Sequence, residues 1–152
     1  MKSFITYSLN EDVGSGDVTS ESSVPEDLIE NGFIIAKEEG VVAGIEVAKE
    51  VFKQFDTKIN FKALVKDGAR VKFGEVVIEL KGAARSILSG ERLALNFMQR
   101  MSGIATRTAE IVSILEGTPT KVLDTRKTTP GLRGFEKWAV SIGGGVNHRM
   151  GL

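Results

Sequence analysis

Two short basic segments stand near the carboxyl end of this 152-residue chain. Thr125-Arg126-Lys127, here named the TRK segment, follows an apolar run, and Asn147-His148-Arg149, the NHR segment, follows three consecutive glycines. An arginine presents a planar fork that suits a carboxylate or phosphate, and an adjacent lysine adds a mobile point charge. The chemistry that these residue types predict is the binding of a small anion.

The charge distribution agrees with such a site. The formal net charge is zero, but residues 118–152 hold six basic and two acidic side chains, so the first 117 residues carry a net charge of −4. A basic surface for RNA is the alternative interpretation. It is less favoured, because the aromatic residues among these charges, Phe135 and Trp138, are predicted to be buried rather than free to stack on bases.

Each of these residues also has an ordinary structural interpretation. A basic pair in a loop is usually solvated, and a lone histidine such as His148 is more often structural than functional. Its place beside Arg149, after glycines that permit close backbone approach, favours an anion ligand or hydrogen-bond donor. No residue pair near His148 has metal-ligand spacing, so no metal site is predicted. The absence of cysteine excludes disulfides, thiolate metal sites and a cysteine nucleophile.

The elements that position the two segments follow from periodicity and turn residues. Helices are predicted over 1–9 and 45–55, and a long helix is predicted from an N-cap at Ser89 to Gly117 and Pro119. Residues 11–20, with two glycines and three acids, are predicted to be a loop. Short strands separated by dipeptides such as Lys81-Gly82 are predicted over residues 31–37, 40–44, 59–65, 70–73, 76–80 and 83–87.

The carboxyl-terminal part is predicted to be the start of a repeating β/α fold. A strand over 122–125 runs into Arg126, a helix follows Thr129-Pro130-Gly131, and the glycine run leads towards a second strand. In such α/β folds the loops at the carboxyl ends of the strands carry the active site. One strand cannot close a parallel barrel, so the sequence is predicted to be incomplete.

Several longer motifs carry a resemblance to a known family. They are Glu91-Arg92-Leu93-Ala94-Leu95-Asn96-Phe97, Ser102-Gly103-Ile104-Ala105-Thr106, the stretch from Asp124 to Arg133, Glu136-Lys137, and Gly143-Gly144-Gly145-Val146-Asn147-His148-Arg149. In this order and spacing they resemble motifs of quinolinate phosphoribosyltransferases, also called nicotinate-nucleotide pyrophosphorylases (carboxylating). The amino-terminal motif is similar too, through Leu9, Glu11, Asp12, Gly14, Gly16, Asp17 and Thr19.

The resemblance implies a fold and a reaction. The fold is an amino-terminal α/β sandwich domain, at 1–103 with the start of a linking helix, followed at 104–152 by the incomplete beginning of an open α/β barrel. The reaction is phosphoribosyl transfer from phosphoribosyl pyrophosphate to quinolinate with decarboxylation, which gives nicotinate mononucleotide, pyrophosphate and carbon dioxide in NAD biosynthesis. Later family motifs have no counterpart here, so the 152 residues alone are expected to be inactive or nearly so.

The resemblance also implies roles for named residues. Arg126, Arg149 and His148 would surround the quinolinate carboxylates, with Thr125 and Lys127 in the same pocket. Arg92 would reach the active site of the neighbouring subunit in a homodimer or higher oligomer, although from its position alone it could equally form a surface salt bridge. No catalytic nucleophile is implied. Mg²⁺ would be bound to the pyrophosphate of the substrate, with its ligands outside this segment.

Three alternatives stay open at this point. The first is a molybdenum-associated or nicotinate phosphoribosyltransferase-like protein, and the second is a truncated, non-catalytic paralogue. The third is a carrier module modified at Lys72, although Val71 and Phe73 flank that lysine rather than methionines. No run approaches the roughly 20 apolar residues of a membrane span, and no signal-peptide apolar region follows Met1, so a cytoplasmic protein with no membrane or nucleic-acid partner is expected.

Overall fold

A computed structural model describes residues 1–14 and 16–151. The fold is α/β. Its elements in chain order are α1 (Lys2–Val13), α2 (Val18–Ser23), β1 (Ile29–Ile35), β2 (Gly40–Val41), α3 (Ile45–Phe55), β3 (Asn60–Ala63), β4 (Arg70–Val71), β5 (Val76–Ala83), α4 (Ala84–Ile114) and α5 (Arg133–Ile142).

An antiparallel three-stranded sheet in the order β1-β5-β3 forms one layer of the amino-terminal part. The pairing runs from Ile29 opposite Ala83 in β1 and β5, and Asn60 lies opposite Lys81 in β3 and β5. Helices α3 and α4 pack on each other and on this sheet. The alternation of β5 buries Ile78 and Leu80 in the same hydrophobic core as the apolar stripe of α3.

Helix α4 connects this layer to the carboxyl-terminal part. It has 31 residues and therefore extends about 46 Å at 1.5 Å per residue. Its buried stripe includes Leu93, Phe97, Met101 and Ala105, four residues apart as an amphipathic helix requires. The ring of Phe97 lies 5.0 Å from that of Phe135 in α5. This packing fixes α5, and the segments on either side of it, against the long helix.

The predicted loop over 11–20 is wrong at both ends. Helix α1 continues to Val13, and α2 already begins at Val18. Asp17 is the reason for the second start, because its Oδ1 accepts the backbone N–H of Ser20 at 3.1 Å and caps α2. The glycines of this segment therefore indicate a short break between two helices rather than a long loop.

The predicted start of the long helix is also wrong. Helix α4 begins at Ala84, and Ser89 lies buried inside it, with its hydroxyl donating to Asp17 Oδ2 at 2.9 Å. Lys81-Gly82 is not a turn, because β5 runs through it to Ala83, and residues 84–87 belong to α4 rather than to a strand. A Cβ on Gly82 would stand 3.1 Å from Ile59 Cγ1, so the glycine serves close packing within the strand.

The predicted strand over 122–125 is reduced to a single parallel bridge between Leu123 and Val146. Two backbone hydrogen bonds carry it, from Val146 N to Val122 O at 2.8 Å and from Asp124 N to Val146 O at 3.1 Å. The strand predicted over 40–44 is likewise confined to Gly40–Val41. Over the described ranges 1–14 and 16–151, no helix is both long and apolar enough to cross a membrane.

Candidate functional site

The TRK and NHR segments leave the same end of two neighbouring parallel stretches of chain. The bridge between Leu123 and Val146 sets these stretches side by side, and each continues directly into one of the basic segments. Backbone hydrogen bonds on both sides of the bridge fix this pairing. The arrangement is the one that β/α folds use for their active-site loops.

Asp124, the residue before the TRK segment, joins the two stretches through its side chain. Its Oδ1 accepts the backbone N–H of His148 at 2.8 Å and also the ammonium of Lys137 in α5. The Asn147 amide nitrogen donates to Asp124 Oδ2 at 2.7 Å and to the Lys137 carbonyl oxygen at 2.8 Å, in the orientation that avoids setting its oxygen against two acceptors. One carboxylate therefore binds to α5 and to the start of the NHR segment.

The ion pair between Asp124 and Lys137 is almost wholly removed from solvent. Burying two charges is costly unless each one is paired and hydrogen-bonded, and here both conditions hold. Because Lys137 compensates the charge of Asp124, this carboxylate does not cancel the positive charge of the neighbouring basic segments. The buried carboxylate of Asp124 thus supports the two segments, and their surface is nevertheless basic.

The basic side chains of the two segments are not used inside the chain. Within residues 1–14 and 16–151, the side-chain nitrogens of Arg126, Lys127, His148 and Arg149 make no hydrogen bond or salt bridge. Arg126 is half-buried and the other three are exposed. The Thr125 hydroxyl accepts the backbone N–H of Lys127 at 3.1 Å, so it shapes its own segment. Four nitrogen-bearing side chains are therefore available to donate hydrogen bonds to an anionic ligand.

Arg100 of α4 anchors the stretch after the TRK segment. Its Nε donates to Glu136 Oε1 at 2.9 Å, and its guanidinium also reaches the Thr129 hydroxyl. The other oxygen of Glu136 accepts the backbone N–H of Thr129 at 3.2 Å. Burial raises the pKa of Glu136, but hydrogen bonds from Arg100 and Thr129 outweigh it and hold the pKa below its usual value. The carboxylate is therefore the stable form at neutral pH.

The glycine run before the NHR segment lets the chain pass very close to α4 and α5. A Cβ on Gly143 would lie 2.4 Å from the carbonyl oxygen of Ala105, and one on Gly145 would lie 2.6 Å from Val140 Cγ1. Gly144 has a φ of 89°, in the left-handed region that glycine adopts without strain. The run therefore has a packing role that delivers Val146 to its bridge with Leu123.

Arg92 is not brought to the other predicted site residues. Its side chain is 62% exposed, and its Nε lies 3.5 Å from Asp12 Oδ1 at the end of α1. Arg100, which does contact the stretch after the TRK segment, lies eight residues further along α4, or about 12 Å at 1.5 Å per residue. Within one chain, Arg92 and the two basic segments are therefore separate.

The described residues do not fit a protein-held magnesium ion. Over 1–14 and 16–151 there is no group of three or more His, Asp or Glu side chains placed to hold a metal. The buried acid of the site, Asp124, has both oxygens occupied by N–H donors. Mg²⁺ bound to substrate, with ligands outside this segment, stays a prediction.

Sequence reasoning assigned no role to Asp124, Lys137 or Asn147. One signal was available, because Asp124 follows the apolar Val122-Leu123 directly, and an acid at the end of a buried strand needs a counter-charge. A cleft of about 530 Å³ between α4 and the β1–β2 connection contains none of the predicted site residues. The candidate anion site is instead the open surface where the two basic segments lie side by side.

The chain is similar to one family of known proteins over most of its length. The family description "Quinolinate phosphoribosyl transferase, N-terminal domain" matches residues 17–102, and its "C-terminal domain" matches residues 104–152. The chain is 48% identical over its whole length to the "probable nicotinate-nucleotide pyrophosphorylase (carboxylating)" of Bacillus subtilis (strain 168), of which it covers 52%. The crystal structure of NadC from Streptococcus pyogenes superposes with a TM-score of 0.95 at 45% identity, over 99% of this chain and 53% of that one.

The chain thus spans about half the length of the relatives it matches. Human nicotinic acid phosphoribosyltransferase superposes with a TM-score of 0.58 at 14% identity, over 76% of this chain and 30% of that one. At that identity the likeness is one of fold alone. Residue 103, between the two family matches, lies within α4.

Proposed function

This chain belongs to the quinolinate phosphoribosyltransferase family, and we propose that it supplies the dicarboxylate-binding part of an enzyme that transfers a phosphoribosyl group to quinolinate. The supporting observation is the adjacency of the TRK and NHR segments, which sets Arg126 and Arg149 on neighbouring parallel stretches. Among the residues that the structure describes, neither guanidinium group has a hydrogen-bond or salt-bridge partner. Quinolinate carries two neighbouring carboxylates, so each guanidinium can bind one of them through paired N–H donors.

The proposed reaction has two steps. The pyridine nitrogen forms a bond to the anomeric carbon of phosphoribosyl pyrophosphate, while the bond from that carbon to pyrophosphate breaks and its electron pair leaves with pyrophosphate. The bond between ring carbon 2 and its carboxylate then breaks, and the pair stays on carbon 2. Carbon dioxide departs as this bond breaks, and the positively charged ring nitrogen stabilises the resulting carbanion until carbon 2 takes up a proton.

In this proposal the chain's residues bind and orient. Holding both carboxylates fixes the plane of the pyridine ring and aims its nitrogen, which removes much of the entropic cost of a reaction between two bound molecules. Lys127 and His148 add donors beside the same ligand, and the cationic surface offsets the charge of the dicarboxylate. A covalent nucleophile is not required.

Further parts of the proposal concern turnover, domain division, oligomeric state and location. Two parallel stretches bind a dicarboxylate but do not make a closed barrel, so residues 1–152 alone are proposed to lack ordinary turnover. The domain division at 103–104 belongs to the same proposal. Arg92, which is exposed and separate from its own site, is proposed to act in the neighbouring subunit of a homodimer. A cytoplasmic location stays a prediction.

A chimera tests the proposal, with this chain replacing the matched half of the Bacillus subtilis relative. Formation of nicotinate mononucleotide and carbon dioxide from quinolinate and phosphoribosyl pyrophosphate is the readout. Arg126→Gln and Arg149→Gln should each raise the KM for quinolinate about 10- to 150-fold, since a hydrogen bond to a charged group contributes about 1.5–3 kcal/mol. Arg107→Gln, in an exposed ion pair with Glu110, is the matched control and should leave the KM unchanged.

Two outcomes would contradict the proposed function. One is a folded chimera that does not turn over quinolinate. The other is a chimera in which Arg126→Gln and Arg149→Gln behave like the control. Turnover of nicotinate in place of quinolinate would support the nicotinate alternative, because that substrate offers a single carboxylate.

A further inference from the structure

Arg133, the first residue of α5, places one guanidinium between the two basic segments. Its Nη2 donates to the carbonyl oxygen of Arg126 at 3.3 Å, and its Nε donates to the Thr128 hydroxyl at 3.2 Å. Its Nη1 donates to the carbonyl oxygen of Met150 at 3.1 Å, just beyond the NHR segment. The planar fork of arginine suits this three-way contact, which a lysine point charge cannot reproduce.

The charge of Arg133 is directed to neutral oxygen acceptors. Within 1–14 and 16–151 it has no carboxylate partner within salt-bridge distance. Arg133 is half-buried, and each of its three nitrogens is used inside the chain. It is therefore unlike Arg126 and Arg149, whose guanidinium groups have no partner among the described residues, and it does not serve as a third anion ligand.

This contact complements the one that Asp124 makes. Asp124 joins the two stretches where the basic segments begin, through the backbone N–H of His148. Arg133 joins them where the segments end, through Met150. Arg149 thus lies between two tethered neighbours, and the carbonyl of Arg126 is itself one of the acceptors. Two segments that are hydrogen-bonded at one end only can move apart at the other end. Hydrogen bonds at both ends fix the distance between the segments.

We propose that Arg133 is a positioning residue that sets the distance between the Arg126 and Arg149 side chains and so makes the site select two adjacent carboxylates over one. The proposal rests on the proposed function and deepens it. A dicarboxylate needs both guanidinium groups at one fixed separation, whereas a monocarboxylate needs only one of them. Loss of the hydrogen bonds made by Arg133 therefore weakens the binding of a dicarboxylate far more than the binding of a monocarboxylate.

The test compares two ligands in the chimera. Arg133→Gln should raise the KM for quinolinate about tenfold, equivalent to about 1.4 kcal/mol, while the inhibition constant of nicotinate changes less than about twofold. Arg133→Lys should behave like Arg133→Gln, because charge alone does not bridge three acceptors. Thr128→Val removes one of the three contacts of Arg133, together with the long hydrogen bond from the Thr128 hydroxyl to the Arg126 carbonyl oxygen at 3.5 Å, and should give a smaller change in the same direction. Arg107→Gln is again the control.

The two failures are distinguishable. The positioning role is wrong if Arg133→Gln raises the quinolinate KM and the nicotinate inhibition constant equally, or changes neither. The proposed function would still be supported by the Arg126 and Arg149 variants. If the unsubstituted chimera does not use quinolinate, the proposed function itself fails. Should Arg133→Gln not fold, Thr128→Val decides the matter by the same ratio of quinolinate KM to nicotinate inhibition constant.

Discussion

The carboxylate of Asp124 and the ammonium of Lys137 form an ion pair in which the two side chains are 3% and 2% exposed. Lys137→Met keeps the length of the side chain and removes its charge, which leaves Asp124 buried without a counter-charge. The free energy of unfolding should fall by about 3–5 kcal/mol. Urea denaturation of the chimera, followed by circular dichroism, measures this loss.

The double variant Asp124→Asn/Lys137→Met separates charge from packing. Replacing both partners with neutral groups removes the uncompensated charge, so the double variant should be more stable than Lys137→Met alone. If the two unfold at the same urea concentration, burial of the unpaired carboxylate is not the cause of the loss.

Two glycines of the α5 region should respond in opposite ways to alanine. Gly143→Ala places a methyl group 2.4 Å from the Ala105 carbonyl oxygen and should cost about 1–3 kcal/mol through overpacking. A methyl group on Gly134, inside α5, would meet no atom of another element within 4 Å, so Gly134→Ala should stabilise the helix by about 0.5–1 kcal/mol. The urea midpoint should fall in Gly143→Ala and rise in Gly134→Ala. Equal changes in the two variants would contradict the close approach of α5 to α4.

Asp17 should make stability depend on pH. Hydrogen bonds from the Ser20 hydroxyl, the Ser20 backbone N–H and the Ser89 hydroxyl favour the charged carboxylate and lower the pKa of Asp17. Because the folded pKa lies below the unfolded one, the stabilisation is present above the unfolded value, about 3.9, and is lost as the pH falls through the folded value.

Asp17→Asn tests this dependence. The difference in urea midpoint between the unsubstituted protein and Asp17→Asn should be largest near neutral pH and should shrink as the pH is lowered towards 3. Asp27→Asn, at an exposed turn, is the control. A difference for Asp17→Asn that stays constant with pH would contradict the role of its charge in tying α2 to α4.

The proposed contribution of Arg92 to the neighbouring site can be tested by mixing subunits. Arg92→Gln and Arg126→Gln should each be impaired as homodimers of the chimera. When the two are co-expressed, each hybrid dimer holds one site with both defects and one with neither, so about a quarter of the unsubstituted activity should return after random pairing of identical folds. No recovery would show that Arg92 acts within its own subunit.

Much of the fold followed from local patterns in the sequence. The apolar spacing in 45–55 predicted α3 with its observed bounds. The apolar run before the TRK segment predicted a strand, of which the bridge from Leu123 to Val146 is present. Ser89 was predicted wrongly because the capping preference of serine is a local rule, whereas its partner Asp17 lies 72 residues earlier in the chain. Gly82 was predicted wrongly for a similar reason, since the side chain of Ile59 requires that glycine.

The supports of the site were harder to predict than its basic residues. Arg126 and Arg149 stand out by residue type and neighbours, but Lys137 looked like one more basic residue until the fold buried it against Asp124. Arg133 has a role only because α5 begins between the two segments, a relationship between three parts of the chain. Pairings of this kind depend on tertiary packing, which no local window of the sequence contains.

The position of quinolinate in a crystal structure of the chimera decides whether Arg126 and Arg149 form one dicarboxylate site. One carboxylate should lie within about 3 Å of the Arg126 guanidinium and the adjacent carboxylate within the same distance of the Arg149 guanidinium. Quinolinate bound by only one of these arginines, or guanidinium groups that point to opposite faces of the molecule, would contradict the shared site.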